Sequence, residues 1–145
     1  MRLPLPFLAV VFGLLLIGCG GSGLPHSGQV SVSVTPTQTA IAANGSVVLT
    51  GTATGFTDTL LGRWWIQESY NIDRNNDCGL LSTQAPPQSG CPYGYVMYDP
   101  NMAVPSKATY YAPSAPGTYH VTFEASQFVE FDHLSKTGEA TITVQ

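Results

Sequence analysis

The chain has 145 residues, room for one domain and little more. Only 10% of them are charged, with Lys+Arg 5 against Asp+Glu 9 and a net charge of −4, so no basic stripe can track a phosphate backbone and nucleic-acid binding is not expected. Gly 15 and Pro 11 stand among many Thr, Val and Ser, a mixture that suits short strands and tight turns and leaves no run of helix formers.

Leu3 to Ile17 is almost wholly apolar, and Arg2 is the only charge before it. That is the charged start and apolar run of a secretory signal. The run is shorter than the roughly 20 residues that cross a bilayer as a helix, and Pro4 and Pro6 weaken a spanning reading further. Leu16-Ile17-Gly18-Cys19 then resembles the lipobox of bacterial lipoproteins. The resemblance implies that residues 1–18 are a signal peptide and that Cys19 is lipidated and becomes the mature N-terminus. It also implies a protein of the bacterial cell envelope, held to a membrane by covalent lipid. Gly20, where an Asp would resemble an inner-membrane retention signal, implies sorting to the outer membrane. A signal cut without lipidation and an uncleaved anchor are the alternatives. Residues 19–28, opening on Cys19-Gly20-Gly21-Ser22-Gly23, read as a flexible tether.

Three cysteines are an awkward number for an exported protein. With Cys19 consumed by lipid, Cys78 and Cys91 remain as a pair in an oxidising compartment. A disulfide closing a loop of that size contributes about 3 kcal/mol in the chain-entropy model. Free thiols or a metal pair are the alternatives, although no His or further Cys lies near enough in sequence to complete a zinc site.

From residue 29 onward the pattern is that of strands. Val30, Val32 and Val34 alternate with Ser31, Ser33 and Thr35, and Pro36 ends the run. After Ala43-Asn44-Gly45, Val47, Leu49, Gly51 and Ala53 alternate with Val48, Thr50, Thr52 and Thr54. Arg63-Trp64-Trp65-Ile66-Gln67 and Ala108-Thr109-Tyr110-Tyr111 are short aromatic-rich strands. Tyr119, Val121, Phe123 and Ala125 alternate with His120, Thr122 and Glu124, and Ala140, Ile142 and Val144 alternate with Thr141 and Thr143. Short strands with turn signals between them and no helical period predict an all-β antiparallel sandwich over 29–145.

The order Val32-x-Val34-x-Pro36, Gly45-Ser46-Val47-Val48-Leu49, Trp64, Thr109-Tyr110-Tyr111-Ala112-Pro113 and Pro116-Gly117-Thr118-Tyr119-His120-Val121 resembles bacterial immunoglobulin-like (Big-type) domains. The resemblance covers about residues 29–66 and 107–145. It implies that Trp64 is the core tryptophan of strand C and Tyr119 the corner tyrosine of strand F, with its hydroxyl returning to nearby backbone. Leu49 and Val121 then stand where antibody domains carry their inter-sheet cysteines. Such a fold is nearly silent about function.

The departure from that pattern is Glu68–Ser106, an insertion between strands C and E far longer than an ordinary connection and stapled by Cys78 and Cys91. Asp73, Asn75 and Asp77 place oxygen ligands at alternate positions, as the first half of a calcium loop does. Cys78 stands where that loop needs Gly and Gln84 where it needs Glu, so polar turn residues are the competing reading. Tyr93, Tyr95 and Tyr98, with Trp65 if it faces out while Trp64 faces in, form a possible binding surface for a protein or glycan partner. They serve equally as a small core packing the insertion against the sheet. His26 lies in the tether, His120 on an outward strand position, and Glu130, Asp132 and His133 in a polar loop between the last two strands. No nucleophile accompanies them, so no catalytic residues are assigned and an enzyme is not expected. Apart from the lipid, no cofactor is expected. The reading is a tethered, non-catalytic binding or structural module, with a carbohydrate- or calcium-binding surface module as the alternative.

Overall fold

The computed structural model describes residues 28–57, 60–87, 89–101, 103–129 and 132–145. The expected signal peptide, Cys19, nearly all of the expected tether and Glu130 lie outside the described residues.

Where the sequence alternates apolar and polar residues, strands turn the apolar set inward, burying Val47, Leu49, Val121 and Phe123 and half-burying Val32 and Val34. These strands are β1 (Ser31–Pro36), β2 (Ala40–Ile41), β3 (Ser46–Thr54), β4 (Leu61–Ile66), β5 (Gly79–Leu81), β6 (Tyr95–Tyr98), β7 (Ser106–Tyr111), β8 (Gly117–Val129) and β9 (Asp132–Val144). One short helix, α1 (Gln67–Ile72), follows β4 directly. They form two packed sheets, ordered β1-β3-β7-β6-β5 and β2-β9-β8-β4. With strands lettered in immunoglobulin fashion, the first reads A-B-E-D with β5 added at its edge, and β4, β8 and β9 read C-F-G in the second. The fold is therefore an immunoglobulin-like sandwich. Its pairings are antiparallel except for β2 with β9 and β5 with β6, which run parallel.

Trp64 sits at the centre with no exposed surface, its ring 4.6 Å from that of Phe123, among Leu49, Val121, Tyr110 and Ile142. An indole N–H in such a place needs an acceptor, and Trp64 donates to the buried Ser106 hydroxyl at 2.8 Å. The Tyr119 hydroxyl donates to the Ala115 carbonyl at 2.9 Å, which ties the start of β8 to the corner before it. Leu49 and Val121 are both fully buried in the same core.

Three features depart from expectation. Helix α1 is only 6 residues long, too short to stand alone and too short to show a period, so its stability comes from what it packs against. Strands β8 and β9 run to 13 residues each, so Asp132 and His133 belong to a long hairpin and not to a loop. Trp65 does point away from the core, yet α1 covers it: it is buried, and its ring lies 5.6 Å from that of Tyr70.

Strand registers give the sandwich two distinct ends. Residues 28–30 enter beside the β3–β4 connection, where a Cβ at Gly55 (φ +83°) would run into the Gln29 carbonyl. The tip of the β8–β9 hairpin lies at this same end, because the Gln127 amide donates to the Thr57 hydroxyl at 2.8 Å and accepts from the Thr57 N–H at 3.1 Å. Strand β4 runs away from this entry end and delivers α1 to the other, where Gly117 pairs with Val144 and Tyr95 with Tyr111. The insertion leaves from that second end, and β5 and β6 carry it back along the sheet, so that the connection from Tyr98 to Ser106 lies toward the entry end.

Candidate functional site

The insertion is built outward from the last residues of β4. Gln67 accepts from the Trp65 indole N–H at 3.0 Å, and both Glu68 carboxylate oxygens accept the His120 backbone N–H at 3.1 and 3.2 Å. The His120 ring closes the same contact through Nδ1, 2.6 Å from Glu68 Oε1. Helix α1 is thus pinned to β8 where β4 stops pairing with it. The helix ends at Asp73, whose N–H donates to the Ser69 carbonyl and whose carboxylate accepts from the Asn75 N–H at 2.9 Å in a tight turn.

The returning chain then seals the open edge between the sheets. The Asp77 carbonyl accepts from the Ile66 N–H at 2.9 Å, and its carboxylate accepts from the Gly79 N–H at 3.1 Å and pairs with Arg63. Gly79 passes so near β4 that any Cβ there would strike the Trp64 carbonyl. Cys78 is disulfide-bonded to Cys91 with the Cα atoms 5.8 Å apart, and its carbonyl accepts from the Val96 N–H as β6 begins. Asn76 reinforces the staple by donating to the Gly90 carbonyl at 2.6 Å.

The tyrosines divide between the two roles open to them. Tyr98 is buried and does not offer a contact surface, and neither does Trp65; both pack the insertion onto the sandwich. Burial, with the nearby Asp77 adding to it, raises the Tyr98 phenol above its ordinary range. Tyr93 is half-buried, its ring 6.2 Å from Tyr119, and its carbonyl accepts from the Tyr110 hydroxyl at 2.8 Å. Burial, then Tyr119 and Glu68, push the Tyr110 phenol well up, so it stays a neutral donor. Tyr95 stacks on Tyr111 at 4.8 Å and 13°, and both keep part of their surface in solvent.

Two depressions open beside these residues. A groove of about 560 Å³ is lined by Pro87, Cys91, Pro92, Gly94, Tyr95 and Pro113. A cleft of about 230 Å³ is lined by Ser69, Ile72, Asp73, Asn76, Pro92 and Tyr93. The Ser69 hydroxyl is buried and has no hydrogen-bond partner among the described residues, which is costly unless something else supplies one. Of the candidate binding residues, then, Tyr93 and Tyr95 line open surface.

Of Asp73, Asn75 and Asp77, the two carboxylates already have partners: Asp73 holds the Asn75 N–H, and Asp77 holds Gly79 and Arg63. Among the described residues no three His, Cys, Asp or Glu side chains come together as a metal centre would need. Asp132 and His133 are exposed on the hairpin, where His133 stacks on Phe128 at 4.5 Å. The Glu68–His120 pair, the Arg63–Asp77 pair and the Ser69 cleft were not legible in sequence. The two pairs join residues 52 and 14 positions apart and the cleft forms where α1 meets the chain around Tyr93, so only the outward placement of His120 hinted at any of them. The chain matches no known family model and no curated protein.

Proposed function

We propose that the chain is an exported bacterial lipoprotein in which one immunoglobulin-like domain, tethered through lipidated Cys19, presents its insertion as a non-catalytic binding or structural module of the cell envelope. The observation that carries this reading is the Cys78–Cys91 disulfide: it suits an oxidising compartment and leaves Cys19 as the one cysteine available for lipid. The apolar run before Cys19 and the glycine-rich stretch after it fit export and tethering, with Gly20 favouring the outer membrane. Several acyl chains would make the attachment stable, since each buried methylene contributes about 0.8 kcal/mol. Cys19→Ser should accumulate as uncut precursor that incorporates no labelled fatty acid. Normal cutting and unchanged labelling of that variant would count against the anchor.

A second reading is supported by the Ser69 cleft. An unpaired buried hydroxyl beside Asp73, Asn76 and a half-exposed Tyr93 ring suits a neutral sugar, which offers hydroxyls to the polar groups and an apolar face to the ring.

A further inference from the structure

We infer that the outer face of the β1-β3-β7-β6-β5 sheet is the contact surface of a symmetric dimer, in which two copies of this chain pack face to face about a two-fold axis running along the strands between β7 and β6. That face is almost free of charge. Among the described residues that point outward from its five strands, Lys107 alone is charged, whereas the outer face of the other sheet carries Arg63, Glu124 and Glu139. In place of charge it offers two stacked tyrosines, Tyr95 and Tyr111. Beside them runs a row in which Val48, Thr109, Met97 and Leu80 stand side by side on β3, β7, β6 and β5, with Val48 42% exposed. Open surface carries mixed charges, while scarce charge with tyrosine, methionine and aliphatic side chains is the composition of a covered interface.

Charge complementarity names a second copy as the occupant. The axis exchanges β7 with β6 and β3 with β5, so each side chain meets its row neighbour from the other copy. Val48 meets the partner's Leu80, Thr109 the partner's Met97, and Tyr111 the partner's Tyr95. Asp99 lies beside Lys107, because Tyr98 pairs with Ala108, and so Lys107 meets the partner's Asp99. Within one chain neither has an ion-pair partner among the described residues; Asp99 accepts only the Asn101 N–H, at 2.7 Å. The dimer therefore gains two ion pairs from charges that a single copy leaves unused. A shallow depression of about 330 Å³ over Thr109 and Lys107 receives the partner's Met97, whose unbranched chain adapts to it. At the margin the hydroxyls of Ser31 and Thr54 bond at 2.7 Å and those of Ser33 and Thr52 at 2.8 Å, which lowers the cost of covering them. An axis along the strands keeps the two sheets aligned, as packed sheets are. Five strands about 4.8 Å apart and roughly 25 Å long cover about 600 Å² per copy, against roughly 800 Å² in a standard interface, so the dimer is weak and reversible.

The test is sedimentation equilibrium of the full chain in density-matched detergent, with micelles in large excess over protein. Lys107→Asp should weaken dimerisation at least about tenfold, because like charges then face each other at both contacts, and Asp99→Lys should do the same. The two substitutions together exchange the charges and should return the dimer constant to within about threefold of the parent. Val48→Glu, which sets a charge against the partner's Leu80, should weaken the dimer without touching the ion pairs. Glu139→Lys, on the other sheet, should leave it unchanged. All four positions are exposed, so each variant should melt with the parent. Rescue by the double variant would establish the pairing even if one single variant melted early. A chain that stays monomeric at the highest soluble concentration overturns the inference. So does a dimer indifferent to the single reversals, or a double variant that dimerises no better than they do.

Discussion

The two ends of this sandwich are built by different means. At the insertion end, α1, β5 and the segment around Asp77 are fastened to the frame by an ion pair and the Glu68 contact to β8, and a disulfide closes the excursion on itself. At the entry end, the β8–β9 hairpin is held by pairing with β4 as far as Ser126, and beyond it by its own strand pairing and one buried amide, Gln127 against Thr57. The insertion arrives as a long excursion that costs chain entropy wherever it is not held, so it is cross-linked repeatedly. The hairpin costs little to order, because each residue added to one strand is paired at once by its neighbour. Length alone therefore does not dictate reinforcement; the sequence distance between the contacting parts does.

The largest test of that contrast removes what both ends share. Trp64→Ala should lower stability by about 3–5 kcal/mol, a large part of the roughly 5–15 kcal/mol typical of a domain, and leave the Ser106 hydroxyl unpaired. Urea denaturation followed by amide exchange should show both ends opening together; loosening of the insertion end alone would mean that the core does not unite them. Next comes the staple. Replacing Cys78 and Cys91 together by Ser should cost about 3 kcal/mol and speed amide exchange across 67–98 while sparing 126–135. Equal acceleration at the hairpin would show that the cross-link steadies the whole domain and not one end. The smallest effect should come from Gln127→Ala, about 1–3 kcal/mol, from the two hydrogen bonds to Thr57 that it removes. Its exchange signature should be the reverse, confined to the β3–β4 connection and the hairpin, and a change reaching Tyr93 or Tyr95 would break the division between the ends.

Much of the frame could be read from residues in order. Val47 and Leu49 on β3, and Tyr119, Val121 and Phe123 on β8, alternate with polar neighbours because each strand has one face in the core and one outside. The corner role of Tyr119 was implied by the resemblance to bacterial immunoglobulin-like domains, and its acceptor lies only four residues upstream. Pairing of Cys78 with Cys91 followed from counting, once Cys19 was set aside.

What the sequence could not say concerns contacts across large separations. Trp65 reads as an outward residue by alternation, and so it is; only the arrival of α1 on that face buries it. Glu68 and His120 meet across 52 residues, and Thr57 and Gln127 across 70, so no local pattern announces either pair. The lengths of β8 and β9 were hidden too, because beyond Ala125 the hairpin carries polar residues such as Ser126, Gln127 and Ser135 that follow no apolar alternation. Period, turn chemistry and cysteine count are properties of neighbouring residues, and they determined the sandwich and its staple. Which outward side chains end up covered, which polar groups find partners, and which end of the molecule holds the insertion are properties of strand order, and only the tertiary structure decided them.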